Sequence, residues 1–121
     1  MRRDNEIVEL SFQFAVRIIK PSRYLTEEKR EYTLSKQILR SGTSIGANVT
    51  ESQDAQSRKD FISKLSIALK EAKETQYWLK LLMETDYLPR SHSRVHSIQK
   101  ELDSIIALLT TIIKSTKSTE L

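Results

Sequence analysis

The sequence offers few residues that could do catalytic or metal chemistry. It has no cysteine and only two histidines, His92 and His96, which stand four positions apart. That spacing on a helix can bind zinc, but no third ligand is suggested, so we interpret both as surface histidines. The sequence also lacks a Gly-x-Ser-x-Gly nucleophile motif and a glycine-rich phosphate loop. It therefore predicts a protein that is not an enzyme, with no catalytic residue and no cofactor.

Carboxylates raise the question of a two-metal centre. Helical bundles that hold two iron or manganese ions use Glu-x-x-His pairs that point inward. The residues three positions before the two histidines are Pro89 and Ser93, so neither pair exists. Glu71 and Glu74 form a Glu-x-x-Glu pair without partner histidines. We expect no metal site.

Basic side chains are the remaining candidates. The formal net charge is +4, and all of it lies in residues 17–40, where seven basic side chains face three acidic ones. Regional basicity suggests a polyanionic partner, because phosphate contacts supply most of the affinity for nucleic acid. The candidate RNA- or DNA-binding residues are Arg17, Lys20, Arg23, Lys29, Arg30, Lys36 and Arg40.

Two other interpretations of the same pattern remain open. Lysine-rich faces of helical bundles are commonly no more than solvated surface. Alternatively, the protein is an interaction scaffold that binds a protein partner on an apolar flank.

The elements that position these residues are predicted to be long helices. The whole sequence contains only two glycines and two prolines, too few for many turns. We predict an all-α fold, an antiparallel up-down four-helix bundle, as a single domain over residues 1–121. The expected helices span residues 4–20, 27–52, 58–86 and 91–115, joined by short links that make neighbouring helices antiparallel.

Local signals set these expected boundaries. Pro21 should end the first helix at Lys20, and Thr26 should cap the second. Lys29, Lys36 and Arg40 would then share one face of the second helix.

The third helix carries the strongest pattern. A capping box of Ser57 and Asp60 should open it. Apolar and small residues then alternate in steps of four and three, which predicts a buried seam with Lys70 and Lys73 on the opposite side. The seam residues are Phe61, Leu65, Ala68, Ala72, Thr75, Leu79 and Leu82.

Some features indicate that several copies of the chain associate. Apolar residues cover more than half of the first helix, and Trp78 lies on the flank of the third. Trp78 either packs half-buried beside a neighbouring helix or forms a subunit contact; we expect a homo-oligomer. Gly42 and Gly46 either permit close helix approach or are merely tolerated.

The longest apolar run, Ile105–Ile113, is too short to span a membrane. The N-terminal residues do not resemble a signal peptide. We therefore expect a cytoplasmic protein without membrane contact.

Several motifs resemble a known family. Gln37–Arg40 (QILR), Ser44–Glu51 (SIGANVTE), Phe61 and Ile67–Leu82 (IALKEAKETQYWLKLL) are similar to the bacterial four-helix bundle proteins called 23S ribosomal RNA intervening-sequence proteins. The resemblance covers roughly residues 5–115. Its specific part joins Asn-x-x-Glu with Glu-x-x-Glu-x-x-x-Trp-Leu.

The resemblance implies an up-down four-helix bundle that assembles as a homopentamer, with no established enzymatic activity. The similar accessory protein of diversity-generating retroelements binds nucleic acid and a reverse transcriptase. The matched positions imply packing or hydrogen-bonding roles, within or between subunits, for Asn48, Glu51, Glu71, Glu74 and Trp78. One departure is Asn48–Ser52 (NVTES), where the family commonly has Asn-Ile-Ala-Glu-Gly.

Overall fold

Four helices account for most of this computed structural model, which describes the backbone of residues 2–119 and the side chains of residues 5–119. They are α1 (Arg2–Glu27), α2 (Leu34–Ser52), α3 (Arg58–Glu84) and α4 (Ser93–Ser118). No strand occurs within residues 2–119. The all-α prediction is confirmed, whereas the predicted domain range of 1–121 extends beyond the described residues at both ends.

The predicted end of the first helix at Lys20 is wrong, because α1 continues through Pro21 to Glu27. A proline inside a helix removes one backbone hydrogen bond and costs about 3 kcal/mol. Leu25 is completely buried in line with Phe14 and Ile18, and burying a leucine contributes about 1.5–3 kcal/mol. The Ser22 hydroxyl also donates a 3.0 Å hydrogen bond to the carbonyl of Ile18. Core packing beyond the proline thus offsets its cost.

The predicted start of the second helix is wrong for the same reason. Thr26 does not cap α2; it lies in α1, where its hydroxyl donates to the carbonyls of Ser22 and Arg23. The chain turns at Arg30, whose φ of 52° lies in the left-handed region. Glu31 then takes over the capping role, since its carboxylate accepts from the backbone N–H of Thr33 at 3.3 Å and of Ser35 at 2.8 Å. A carboxylate there also suits the positive end of the α2 dipole.

The other predicted boundaries lie within a few residues of those observed. The Ser57 hydroxyl accepts from the backbone N–H of Asp60 at 3.0 Å, so the predicted cap of α3 is confirmed. At the other end Asp86 has a φ of 65°, and the N–H of Tyr87 donates to the carbonyl of Leu82 at 2.9 Å. This is the Schellman arrangement that ends helices.

Side-chain contacts show that each helix runs antiparallel to its neighbours. Between α2 and α3, the Thr75 hydroxyl donates to the Ser41 hydroxyl, and Lys64 pairs with Glu51. Between α3 and α4, Gln76 donates to Asp103, and Arg58 to the carbonyl of Thr119. Arg17 of α1 pairs with Glu101 of α4, which closes the ring of four helices.

The core forms where the four inward faces meet. Six of the seven predicted seam residues of α3 are buried, and Phe61 is partly buried against the same core. Lys70 and Lys73 are exposed, as predicted. The core is therefore the predicted helical seam, lined on α1 by Ile7, Phe14, Ile18 and Leu25 and on α4 by Val95, Ile98, Leu102, Ile105, Leu109, Ile112 and Ile113.

Gly42 and Gly46 permit close approach of α1 to α2. A Cβ atom added to Gly46 would lie 3.2 Å from the backbone oxygen of Ser11, and one added to Gly42 would lie 3.1 Å from Cγ1 of Ile18. Both distances are shorter than ordinary van der Waals contact. Of the two interpretations left open by the sequence, close packing is the one observed.

Gly46→Ala should destabilise the protein. Overpacking costs about 1–3 kcal/mol, and alanine returns about 1 kcal/mol of helix propensity, so we expect a net loss of about 1 kcal/mol by urea denaturation. Ala47→Gly at the exposed neighbouring position measures the propensity difference by itself. A Gly46→Ala variant more stable than wild type would show that α1 and α2 are not held by this contact.

Candidate nucleic-acid interface

One end of the bundle brings together cations from four segments of the chain. The antiparallel order brings the end of α1, the α1–α2 link, the start of α2 and the start of α4 to this end. We call it the basic end and define it by six exposed residues: Lys20, Arg23, Lys29, Arg30, Lys36 and Arg94. Within the described side chains, none of the six forms an ion pair.

Five acidic side chains also lie at this end, and two of them already have partners within the chain. Glu31 caps α2, and Glu84 pairs with Arg90. Glu27, Glu28 and Asp86 are exposed. The backbone donors to Glu31 do not cancel its charge, so six unpaired cations face four unpaired carboxylates among the described side chains, and the basic end keeps a net positive charge.

Two of the seven predicted nucleic-acid contacts lie outside the basic end, because each is held in an ion pair. Arg17 pairs with Glu101 across α1 and α4. Arg40 bridges Glu71, at 3.1 Å, and Glu74 across α2 and α3. A guanidinium that already neutralises a carboxylate attracts phosphate weakly, so these two arginines fit a structural role better than a binding role.

The predicted common face of Lys29, Lys36 and Arg40 on one helix is wrong. Lys29 and Arg30 lie in the link between α1 and α2, because α2 begins only at Leu34. The ammonium nitrogen of Lys29 lies 6.0 Å from the centre of the Tyr24 ring, within the range of a cation–π contact. The link thus joins the cations of α1 to those of α2.

A groove of about 510 Å³ opens beside the basic end, between the second half of α1 and the start of α4. Pro21, Leu88, Val95 and Ile98 form its apolar floor. Its edges carry Val16, Arg17, Lys20, Tyr24, Pro89, His92 and Arg94, and no carboxylate lines it. His92 is also the N-cap of α4, since its Nδ1 accepts from the backbone N–H of Arg94 at 3.1 Å.

Sequence reasoning missed Arg94 and Tyr24 as site residues. Arg94 lies far along the chain from the basic segment 17–40, and the predicted helices 4–20 and 27–52 place Tyr24 in a link. The available signal was the antiparallel order, which places the start of the fourth helix beside the end of the first. The antiparallel order brings Tyr24 close to Arg94 only if the first helix continues past Pro21.

The family-motif residues make contacts within this chain. The Asn48 side chain donates to the carbonyl of Ser44 at 2.9 Å, and Glu51 pairs with Lys64 at 3.2 Å. Trp78 is partly buried against the core, and its Nε1 donates to Glu74 at 2.9 Å. Trp78, Glu74, Arg40 and Glu71 therefore form one polar cluster along the α2–α3 flank.

Two further features bear on the class of protein. No three His, Cys, Asp or Glu side chains among the described residues come together as they would around a metal ion. In the same part of the chain, no helix combines the length and apolarity needed to cross a membrane.

Arg40→Gln should destabilise the protein more than Lys36→Gln, one turn earlier on α2. Losing Arg40 leaves Glu71, which is 15% exposed, beside Glu74 without a counterion. Exposed pairs contribute up to about 1 kcal/mol and buried ones more, so we expect a loss of about 1–2 kcal/mol in urea denaturation. The difference should shrink in high salt. Equal stability of the two variants would contradict a structural role for the Arg40 cluster.

Comparison with known proteins places the chain in a family. The family model described as "23S rRNA-intervening sequence protein" matches residues 3–111. A crystal structure of a protein of unknown function from the S23 ribosomal protein family of Bacteroides thetaiotaomicron VPI-5482 is similar, with 53% identity and a TM-score of 0.88 over 93% of this chain and 98% of that one. No curated protein matches, and neither matching description names an enzyme. The chain belongs to the 23S rRNA-intervening sequence protein family.

Proposed function

We propose that this protein is a non-enzymatic, oligomeric accessory protein that binds RNA or another nucleic acid through the basic end, and that it does so in the cytoplasm. The observation that carries the proposal is the convergence of six exposed cations, without ion-pair partners among the described side chains, from α1, the α1–α2 link, α2 and α4. Such a surface suits phosphate contacts, which position a nucleic acid without reading its sequence.

Ribosomal RNA is the first candidate ligand. The description of the family refers to 23S rRNA, and the similar solved structure is assigned to a ribosomal protein family. Five of the seven residues predicted from sequence, namely Lys20, Arg23, Lys29, Arg30 and Lys36, belong to the basic end. The proposed interface therefore keeps fewer residues than the sequence suggested, because Arg17 and Arg40 form ion pairs between helices of the bundle.

Self-association would multiply this surface. α1 carries an outward apolar stripe of Phe12, Val16 and Ile19, which are 60%, 48% and 38% exposed. The spacing of four and three residues places them on one face of the helix, and exposed apolar stripes of this kind mark interaction sites. We propose a homo-oligomer, a pentamer by family resemblance, in which several basic ends bind one polyanion with raised avidity.

The same stripe supports a second candidate function, a scaffold that docks a protein partner. This alternative requires Phe12, Val16 and Ile19 to stay exposed after assembly. The two functions therefore differ in what covers α1 and in whether the basic end is needed.

Neutralising three cations of the basic end, in the α1–α2 link and at the start of α2, should flatten the salt dependence of RNA binding. Each lost phosphate contact changes the slope of log affinity against log salt by about 0.7 for single strands, so replacing Lys29, Arg30 and Lys36 with glutamine should reduce it by about 2. The measurement is fluorescence anisotropy with a labelled ribosomal RNA fragment over a salt series.

The matched control removes three cations from the opposite end of the bundle. Lys59, Lys114 and Lys117 are exposed there, and their replacement with glutamine should leave the slope nearly unchanged. If both triple variants reduce the slope equally, the basic end is not the interface. If wild type shows no salt-sensitive binding at micromolar concentration, the proposed function is wrong.

Phe12→Glu combined with Ile19→Glu should reduce the subunit number measured by light scattering coupled to chromatography, because burying two carboxylates in a subunit contact is costly. Ile67→Glu on α3, at an apolar position 40% exposed, is the matched control and should keep the wild-type mass. A wild-type monomer, or a double variant with the wild-type subunit number, would instead leave the stripe free for a protein partner.

A further inference from the structure

The groove between α1 and α4 has a firm apolar floor. Leu88, Val95 and Ile98 are buried in the core, so their outer surfaces form the floor without being free to move. The ring of Tyr24, which is 38% exposed, stands at the edge. A volume of about 510 Å³ lies in the range of small-molecule sites. The size and the apolar floor suit a small, largely apolar group.

The charges at the rim of the groove favour an anionic ligand. Lys20 and Arg94 are exposed cations on opposite sides, one on α1 and one on α4. Arg17 also lines the groove but is held by Glu101. His92 accepts a hydrogen bond at Nδ1, so its neutral ring carries the proton on Nε2 and adds a donor.

We propose that this groove binds one unpaired nucleotide, with the base against Tyr24 and the apolar floor and the flanking phosphates on Lys20 and Arg94. A base joined to two anionic phosphates matches an apolar floor that lies beside an aromatic ring and between two cations. Bases inside a duplex are stacked and cannot reach the floor, whereas unpaired bases can. The inference rests on the proposed function and adds to it a preference for single-stranded segments.

The test compares two single strands that carry the same number of phosphates, one of uridines and one of abasic residues. Stacking of a base on an aromatic ring strengthens single-strand binding by about 5- to 150-fold. Wild type should therefore bind the uridine strand about 10-fold more tightly, measured by anisotropy at one fixed salt concentration. Tyr24→Leu should remove most of this ratio.

Two control variants separate ring stacking from general effects. Tyr24→Phe keeps the ring and should retain the ratio. Tyr32→Leu changes another tyrosine at the same end, 63% exposed and not part of the groove, and should also retain it. Circular dichroism and subunit mass are measured for each variant alongside the binding.

The outcomes distinguish this inference from the proposed function. Equal affinity of wild type for the two strands would overturn the nucleotide site while leaving phosphate-directed binding intact. Absence of binding to either strand would overturn both. A change in subunit number caused by Tyr24→Leu would show that a second copy of the chain covers the groove, which also overturns the inference.

Discussion

The arrangement of this bundle depends on α1 remaining helical beyond Pro21. Leu25 is buried on the same face as Phe14 and Ile18, and this packing holds the last turns of α1 against the core despite the lost backbone hydrogen bond. If α1 ended at Lys20, Tyr24 would leave the edge of the groove and Lys29 would not be held near its ring. The shape of the basic end thus follows from one stretch of apolar burial.

The charged residues divide into two groups with different physical roles. Arg17 and Arg40 neutralise carboxylates between helices, where partial burial strengthens the attraction. The cations of the basic end stand at helix ends and in a link, where solvent surrounds them. Sequence spacing alone does not separate these groups, because the acids that engage Arg17 and Arg40 come from distant parts of the chain. Assigning a function to a basic segment therefore requires knowing which charges are already balanced.

Close helix packing and polar contacts hold α2 against both α1 and α3. Gly42 and Gly46 face α1, and Ser41 meets Thr75 of α3 through buried hydroxyls. Small residues on two sides let α2 lie close to both neighbours, while Arg40 pairs the exposed flank of α2 with the Glu74 carboxylate of α3, which also accepts from Nε1 of Trp78. The small residues on these two faces of α2 take positions that large apolar residues occupy on α3 and α4.

The sequence by itself determined the helical class, the four-helix order and the buried seam of α3. These follow from local periodicity and from caps such as Ser57, because both depend on interactions between residues only a few positions apart. Tertiary structure alone decided the length of α1, the capping of α2 by Glu31, the ion pairs of Arg17 and Arg40, and the groove that joins Tyr24 to Arg94. Each of these depends on contacts between residues far apart in sequence, where burial outweighs a local stop signal or a distant carboxylate balances a local charge.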